Sequence, residues 1–134
     1  MVNYMEKINI KTSSKNEIID ITSKVKEFVS EKGTEEGICI IHCPHTTAGI
    51  TINENADPSV KRDIEKALTE IVPKMDFQHL EGNSDSHIKS SLIGCSEEVL
   101  RENNEIKLGT WQGIMFCEFD GPRNRKIWLK IIEK

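Results

Sequence analysis

The sequence has no C-x-x-C pair. Its four cysteines, Cys39, Cys43, Cys95 and Cys117, are spaced for neither a structural zinc knuckle nor a disulfide framework, so reduced and mostly buried thiols are expected. Aromatic residues are scarce, at 5% of the chain, so a core has to be built mainly from Ile, Leu and Val. No apolar run approaches a membrane span, and residues 1–11 lack the apolar stretch of a signal peptide, which points to a cytoplasmic protein. Neither sign of charge dominates: 22 acidic and 18 basic residues are spread along the length for a net charge of -4, which argues against a nucleic-acid surface. Internal repeats, low-complexity tracts and linkers are also missing, so one domain over residues 1–134 is expected. A core this modest is often completed by burying an apolar face in an oligomer.

The residues that are present are patterned. Tyr4, Ile8 and Ile10 among polar neighbours mark an opening strand over 4–12 with one buried face. From about Asp20, Ile21, Val25, Phe28 and Val29 recur at helical spacing, Thr22 suits the cap and Gly33 the position past the end. Gly37 then releases Ile38-Cys39-Ile40-Ile41, a β-branched run that predicts a central strand buried on both faces and ended by Pro44. Gly49 to Asn53 reads as a short strand. Asp57 and Pro58 open a helix with the stripe Val60, Ile64, Ala67, Leu68 and Ile71, and Pro73 stops it. Residues 74–86 read as a loop, and His87 to Ile93 as a short helix closed by Gly94. The last third predicts hairpins. Glu102-Asn103-Asn104 turns between two short strands, and Asp120-Gly121-Pro122-Arg123-Asn124 joins two long ones, 114–119 and 127–132. The class is α+β, with two main helices and one short one.

Four segments carry chemistry. His42-Cys43-Pro44-His45-Thr46-Thr47 sets imidazoles and hydroxyls at a strand end, with His42 read as structural and His45 as functional. In Asn53-Glu54-Asn55-Ala56-Asp57, the helix cap accounts for Asp57, leaving Glu54 as a surplus carboxylate fit for a metal or a base. His79 and His87 flank Glu81 and Asp85 in the loop. Imidazole with carboxylate suits Zn²⁺, Mn²⁺ or Fe²⁺ better than Ca²⁺ or Mg²⁺ alone, but the spacing matches no dedicated zinc motif, so a solvated polar loop competes. Glu118 to Lys126 gathers carboxylates and three bases around a tight turn. Arg123 and Arg125 there suit bidentate phosphate binding, against the plainer reading of a solvated hairpin tip. Trp111, between Gly109 and Gly113, is either a rigid wall beside a ligand or a core or interface filler.

Three stretches, HTTAGITINENADPSVKRD (45–63), HLEGNSDSHIKSSLIG (79–94) and LGTWQGIMFCEFDGPRNRK (108–126), together resemble the YjbQ family, with the likeness running from roughly residue 20 to the C-terminus. The resemblance implies a mixed, largely antiparallel sheet curled into a half-barrel, assembling as a homotrimer with polar pockets near subunit boundaries. It also implies an activity, since members carry the label secondary thiamine-phosphate synthase: a pyrimidine diphosphate is joined to a thiazole phosphate with release of pyrophosphate. Departure of pyrophosphate from a benzylic-type carbon needs cationic groups or a metal to meet the developing charge.

Carried onto this chain, the family's motif histidines fall at His45, His79 and His87, its carboxylates at Glu54, Asp85 and Glu118, and its arginines at Arg123 and Arg125. The implied metal ligands are His45, His79, His87 and Asp85, holding a divalent ion such as zinc, manganese or magnesium. The implied catalytic set is His45, His87, Glu118 and Glu54, with Glu118 orienting. Arg123 and Arg125 would clamp a small phosphorylated substrate, beside Thr46, Thr47, Asn53 and Trp111. Asn83-Ser84-Asp85-Ser86 departs from the family pattern, which carries a proline and further acidic residues there, and this weakens the case for Asp85. A metal-dependent enzyme of another class, such as a phosphoesterase, and a non-catalytic binding module for a phosphorylated ligand are the competing functions. No nucleic-acid or membrane partner is expected.

Overall fold

A computed structural model describes residues 3–32 and 36–133. The chain runs β1 (Asn3–Lys11), β2 (Glu17–Asp20), α1 (Thr22–Glu31), β3 (Gly37–His42), β4 (Ala48–Glu54), α2 (Pro58–Ile71), α3 (Ser84–Ile93), β5 (Ser96–Glu102), β6 (Glu105–Lys107), β7 (Gln112–Glu118) and β8 (Asn124–Ile132). The strands curl into a half-barrel made of two ladders, β1-β8-β3-β5-β6 and β2-β7-β4. Among the described residues every pairing is antiparallel, none parallel as a mixed sheet would have.

The core is aliphatic, as the scarcity of aromatics requires. Ile41, Ile50, Ile114, Ile127 and Leu129 are fully buried, joined by Phe116 and by the α1 residues Val25, Phe28 and Val29. β8 alternates strictly enough to turn Arg125, Ile127, Leu129 and Ile131 inward, which is what a strand with one solvated face does. Burial pushes the thiols of Cys39 and Cys117 up to about 12 and that of Cys43 to about 11. All four cysteines are free, and Cys95 alone is exposed. Among the described residues no helix is long and apolar enough to cross a membrane.

Several local expectations hold. Asp57 caps α2 by accepting from the Ser59 amide at 2.9 Å, with Pro58 in the first turn. Asn103 and Asn104 both take positive φ, 52° and 63°, as the tight β5–β6 turn requires. Gly94 closes α3 with φ 95°.

Others are corrected. Ile21, not Thr22, stands at the N-cap of α1 and makes no side-chain cap bond; the Asp20 carboxylate just before it accepts from the Thr22 amide at 2.9 Å and hydroxyl at 2.6 Å. Gly33 and the Tyr4 side chain lie outside the described residues. β2, four residues and too short to show a period in the sequence, adds a strand beside β7. β3 buries Cys39 and Ile41 but leaves Ile38 and Ile40 half-buried, so only one face is covered. α3 starts three residues early, at Ser84, and equals α1 in length at 10 residues. The α2 stripe is real but buries no residue, and Ile71 is 68% exposed. Most consequential, β7 and β8 do not form a hairpin: β7 pairs with β2 and β4, β8 with β1 and β3. Residues 119–123 cross between the ladders, held by the Phe119 amide on the Thr47 carbonyl and the Gly121 amide on the Lys15 carbonyl, each 3.1 Å. A Cβ at Gly121 would sit 2.3 Å from the Ser14 carbonyl oxygen, so the crossing admits only glycine there.

Candidate functional site

The crossing segment opens a concavity where β3 ends, β4 begins and β7 ends. It has a volume of about 440 Å³. The β3–β4 loop contributes His45, Thr46 and Thr47; the approach to α3 contributes His79, Glu81, Asn83 and His87; the crossing and the start of β8 contribute Asp120, Arg123 and Arg125. The three segments bearing the expected histidines and arginines therefore converge on one pocket. α3 is pinned against it by two buried hydroxyls one turn apart: Ser86 donates to the Phe119 carbonyl at 2.6 Å and Ser90 to the Ala48 carbonyl at 2.7 Å.

At the floor, Glu118 is fully buried and saturated with donors. Its carboxylate accepts from Arg125 Nε at 2.8 Å and from Arg125 Nη2, from the Thr12 hydroxyl at 2.7 Å, and from the amides of Phe119 and Asp120 at 3.0 and 3.1 Å. Burial alone would raise this carboxyl. The bonds from Arg125, Thr12 and the Asp120 amide outweigh it, and the group is held below the ordinary glutamate value. Such a carboxylate does not exchange protons near neutrality; it orients Arg125. Arg125 in turn donates from Nη2 to the Thr47 hydroxyl at 2.8 Å, so much of its fork is spent inside the protein rather than left for a phosphate.

His45 Nε2 accepts from the Lys126 backbone amide at 3.0 Å. That bond places the ring proton of the neutral form on Nδ1, a tautomer inferred from the donor. Burial, then the Arg125 charge, lowers the His45 pKa and favours that neutral form. The ring thus offers a donor, not a lone pair, which conflicts with His45 as metal ligand or general base. His42 rests against Trp128, with ring centroids 5.6 Å apart, outside the pocket.

The rim differs. His79 and His87 meet edge to face, with centroids 5.4 Å apart. Arg123 reaches Asp120 through Nη2 at 2.9 Å and Nε at 2.7 Å, yet its side chain stays 54% exposed. Asp120 also accepts from Asn83 Nδ2 at 2.8 Å. Burial would raise the Asp120 carboxyl, but the Asn83 and Arg123 bonds bring it below the usual range. Asn83 Oδ1 is buried with no donor of its own, an acceptor that a ligand hydroxyl or N–H would satisfy.

Asp85 does not join the histidines. Two positions before His87, it lies roughly 200° round the helix, buried against Lys15 Nζ at 3.0 Å. Glu54, Asn53 and Trp111 are also remote within one chain. Ala48 pairs with Glu118 but Glu54 with Gln112, six residues along β4, or roughly 20 Å away. Among the described residues, no three His, Cys, Asp or Glu side chains are placed together to hold a metal ion. The proposed ligand trio shares a pocket without sharing a point, so the residues as placed do not fit a divalent ion.

Thr12, Asn83 and Asp120 are the site residues that sequence reading missed. Thr12 enters from the end of β1, far away in the chain, and no pattern signals it.

The YjbQ-like UPF0047 protein family model matches residues 6–134. A UPF0047 protein of Methanocaldococcus jannaschii is 53% identical over 98% of this chain and 96% of its own. YugU of Bacillus subtilis is 50% identical over 96% of this chain and 98% of its own. Among solved structures, a YbjQ-like protein of unknown function from Sulfolobus solfataricus has a TM-score of 0.95 at 30% identity, covering 99% of both chains. An uncharacterised member of the yjbq/upf0047 family from Clostridium acetobutylicum has a TM-score of 0.92 at 55% identity, covering 95% of this chain and 99% of its own. With sequence motifs, half-barrel and near full-length relatives in agreement, the chain belongs to the YjbQ-like UPF0047 family.

Proposed function

We propose that the pocket binds a small phosphorylated metabolite of the cytoplasm and acts as a transferase that releases pyrophosphate, a thiamine-phosphate synthase-like reaction. The observation that carries this reading is the rim: a half-exposed Arg123 guanidinium and two adjoining imidazoles stand over a floor whose own charges are already neutralised. In the reaction, the bond from the pyrimidine methylene to pyrophosphate breaks with its electron pair on the leaving oxygen, and the thiazole forms its bond to the same carbon. Arg123 would meet the developing negative charge, and His79 and His87 would donate to the phosphate oxygens. His45 Nδ1–H and the Thr46 hydroxyl add neutral donors. Glu118 and Arg125 are positioning residues that hold Thr47 and the crossing segment.

Purified protein given a pyrimidine diphosphate and a thiazole phosphate should form thiamine phosphate and pyrophosphate. His87→Ala should remove that turnover and leave thermal unfolding unchanged; undiminished turnover would take His87 out of the mechanism. Metal analysis separates this from a metal-dependent phosphoesterase, which predicts near-stoichiometric zinc or manganese lost in His79→Ala. The saturated Glu118–Arg125 pair also suits a non-catalytic binding module, for which the sign is retained ligand affinity without turnover.

We further propose the homotrimer that the family resemblance implies. The incompletely covered α2 stripe, half-buried at Val60, Ile64 and Leu68 and exposed at Ile71, and the half-buried outer side of β3 support burial against other copies. Such contacts would also be the way for Glu54, Asn53 or Trp111 of one copy to approach the pocket of another. Sedimentation at equilibrium should return three chain masses.

A further inference from the structure

Beside the polar pocket lies a second recess, of about 560 Å³, lined by Phe77, Gln78, His79, Ser84, His87 and Ile88. The two concavities share His79 and His87, so the edge-to-face imidazole pair forms the partition between them. Their chemistry is opposite. The first is walled by Arg123, Asp120, Asn83 and threonines; the second presents a half-buried phenyl ring and the Ile88 side chain, 38% exposed. Ser84, His87 and Ile88 fall at i, i+3 and i+4 on α3 and so share one helical face, turned to the loop that carries Phe77.

We infer that this recess is the ring subsite of the same ligand: it takes the flat aromatic or heteroaromatic part of a phosphate ester whose phosphate lies against Arg123 across the His79–His87 partition. This rests on the phosphate reading above and adds to it where the ring lies and which residues select it. Small-molecule sites pair an apolar wall that supplies affinity with a few polar groups that fix orientation, and here the two parts adjoin. A ring suits the lining better than a flexible chain, because Phe77 and the imidazoles offer π faces and edges for stacking, a contact that an alkyl chain does not reproduce. Gln78 and Ser84 at the border supply hydrogen-bond partners for ring heteroatoms. Phe77 and Ile88 are specificity-determining residues on this account, and Arg123 is indifferent to what the phosphate carries.

Phenyl phosphate and methyl phosphate, titrated calorimetrically into the full chain, test the assignment. Phenyl phosphate should bind roughly ten-fold or more tightly than methyl phosphate, the scale of one ring stacked on aromatic side chains. Phe77→Ala and Ile88→Ser should each erase most of that ratio while leaving methyl phosphate affinity as it was, and Arg123→Ala should weaken both esters alike. Both hydrophobic positions are partly exposed, so the thermal transition of each variant should match the parent and exclude unfolding as the cause. Equal binding of the two esters, or a ratio that survives Phe77→Ala, overturns the ring subsite while the phosphate pocket stands. Binding of neither ester overturns the phosphate reading and the subsite with it.

Discussion

The floor and the rim of the pocket use the same residue types to opposite ends. On the floor, Glu118 and Arg125 are buried, bonded to each other and to Thr12, Thr47 and two backbone amides, with little capacity left. On the rim, Arg123 keeps one acidic partner and half its surface, and the His79 and His87 rings meet edge to face. Charge alone would rank the two arginines together. Counting the bonds already made separates them: the saturated pair builds the scaffold, and the under-committed groups are available to a ligand.

This contrast can be broken by substitution, most severely at the floor. Glu118→Ala leaves the Arg125 guanidinium buried and unpaired, which should cost about 3–5 kcal/mol in urea unfolding. A loss near zero would show that the floor is not a structural unit. Thr12→Val removes one donor to Glu118 and the acceptor of the Arg123 amide, bonds of 2.7 and 2.8 Å, and should cost roughly 1–3 kcal/mol in the same measurement.

Acidity sharpens the contrast from the other side. The Glu118 carboxyl is held down in the folded state, so its contribution is present above the unfolded value, about 4.3, and is lost as pH falls through the folded one. Glu118→Gln should flatten that acid limb of stability. His45 is also lowered, and being a base it contributes fully above about pH 6.5 and loses stability as pH falls below it. His45→Phe should shrink the slope between pH 6.5 and the acid limb. The smallest stability change belongs to the rim: Arg123→Ala should move unfolding by less than ~1 kcal/mol, yet lower phosphate affinity by about ten-fold or more.

What was legible in the sequence was local. Asp57-Pro58 and Asn103-Asn104 specify their cap and turn through their own backbone preferences, and both form. The convergence of His45, His79 and His87 followed from family motifs, and the fold brings all three to one pocket. What failed depended on partners. The turn chemistry of 120–124 is genuine, but pairing is decided by which strands offer a register, and β7 and β8 find other neighbours. α1 and α2 carry comparable stripes, yet α1 buries Val25, Phe28 and Val29 while α2 leaves Val60, Ile64 and Leu68 only half-buried; periodicity shows that a face needs cover and not what supplies it. Asp85 sits beside His87 in sequence and faces away because helical neighbours two apart do not share a side.

The central claim, that the under-committed rim is an anion site, is tested most directly by titrating inorganic pyrophosphate into the protein and following the imidazole resonances of His79 and His87. Both should shift together and saturably, and Arg123→Ala should move saturation to higher concentration. Resonances that stay unmoved, or shifts indifferent to Arg123, would contradict it.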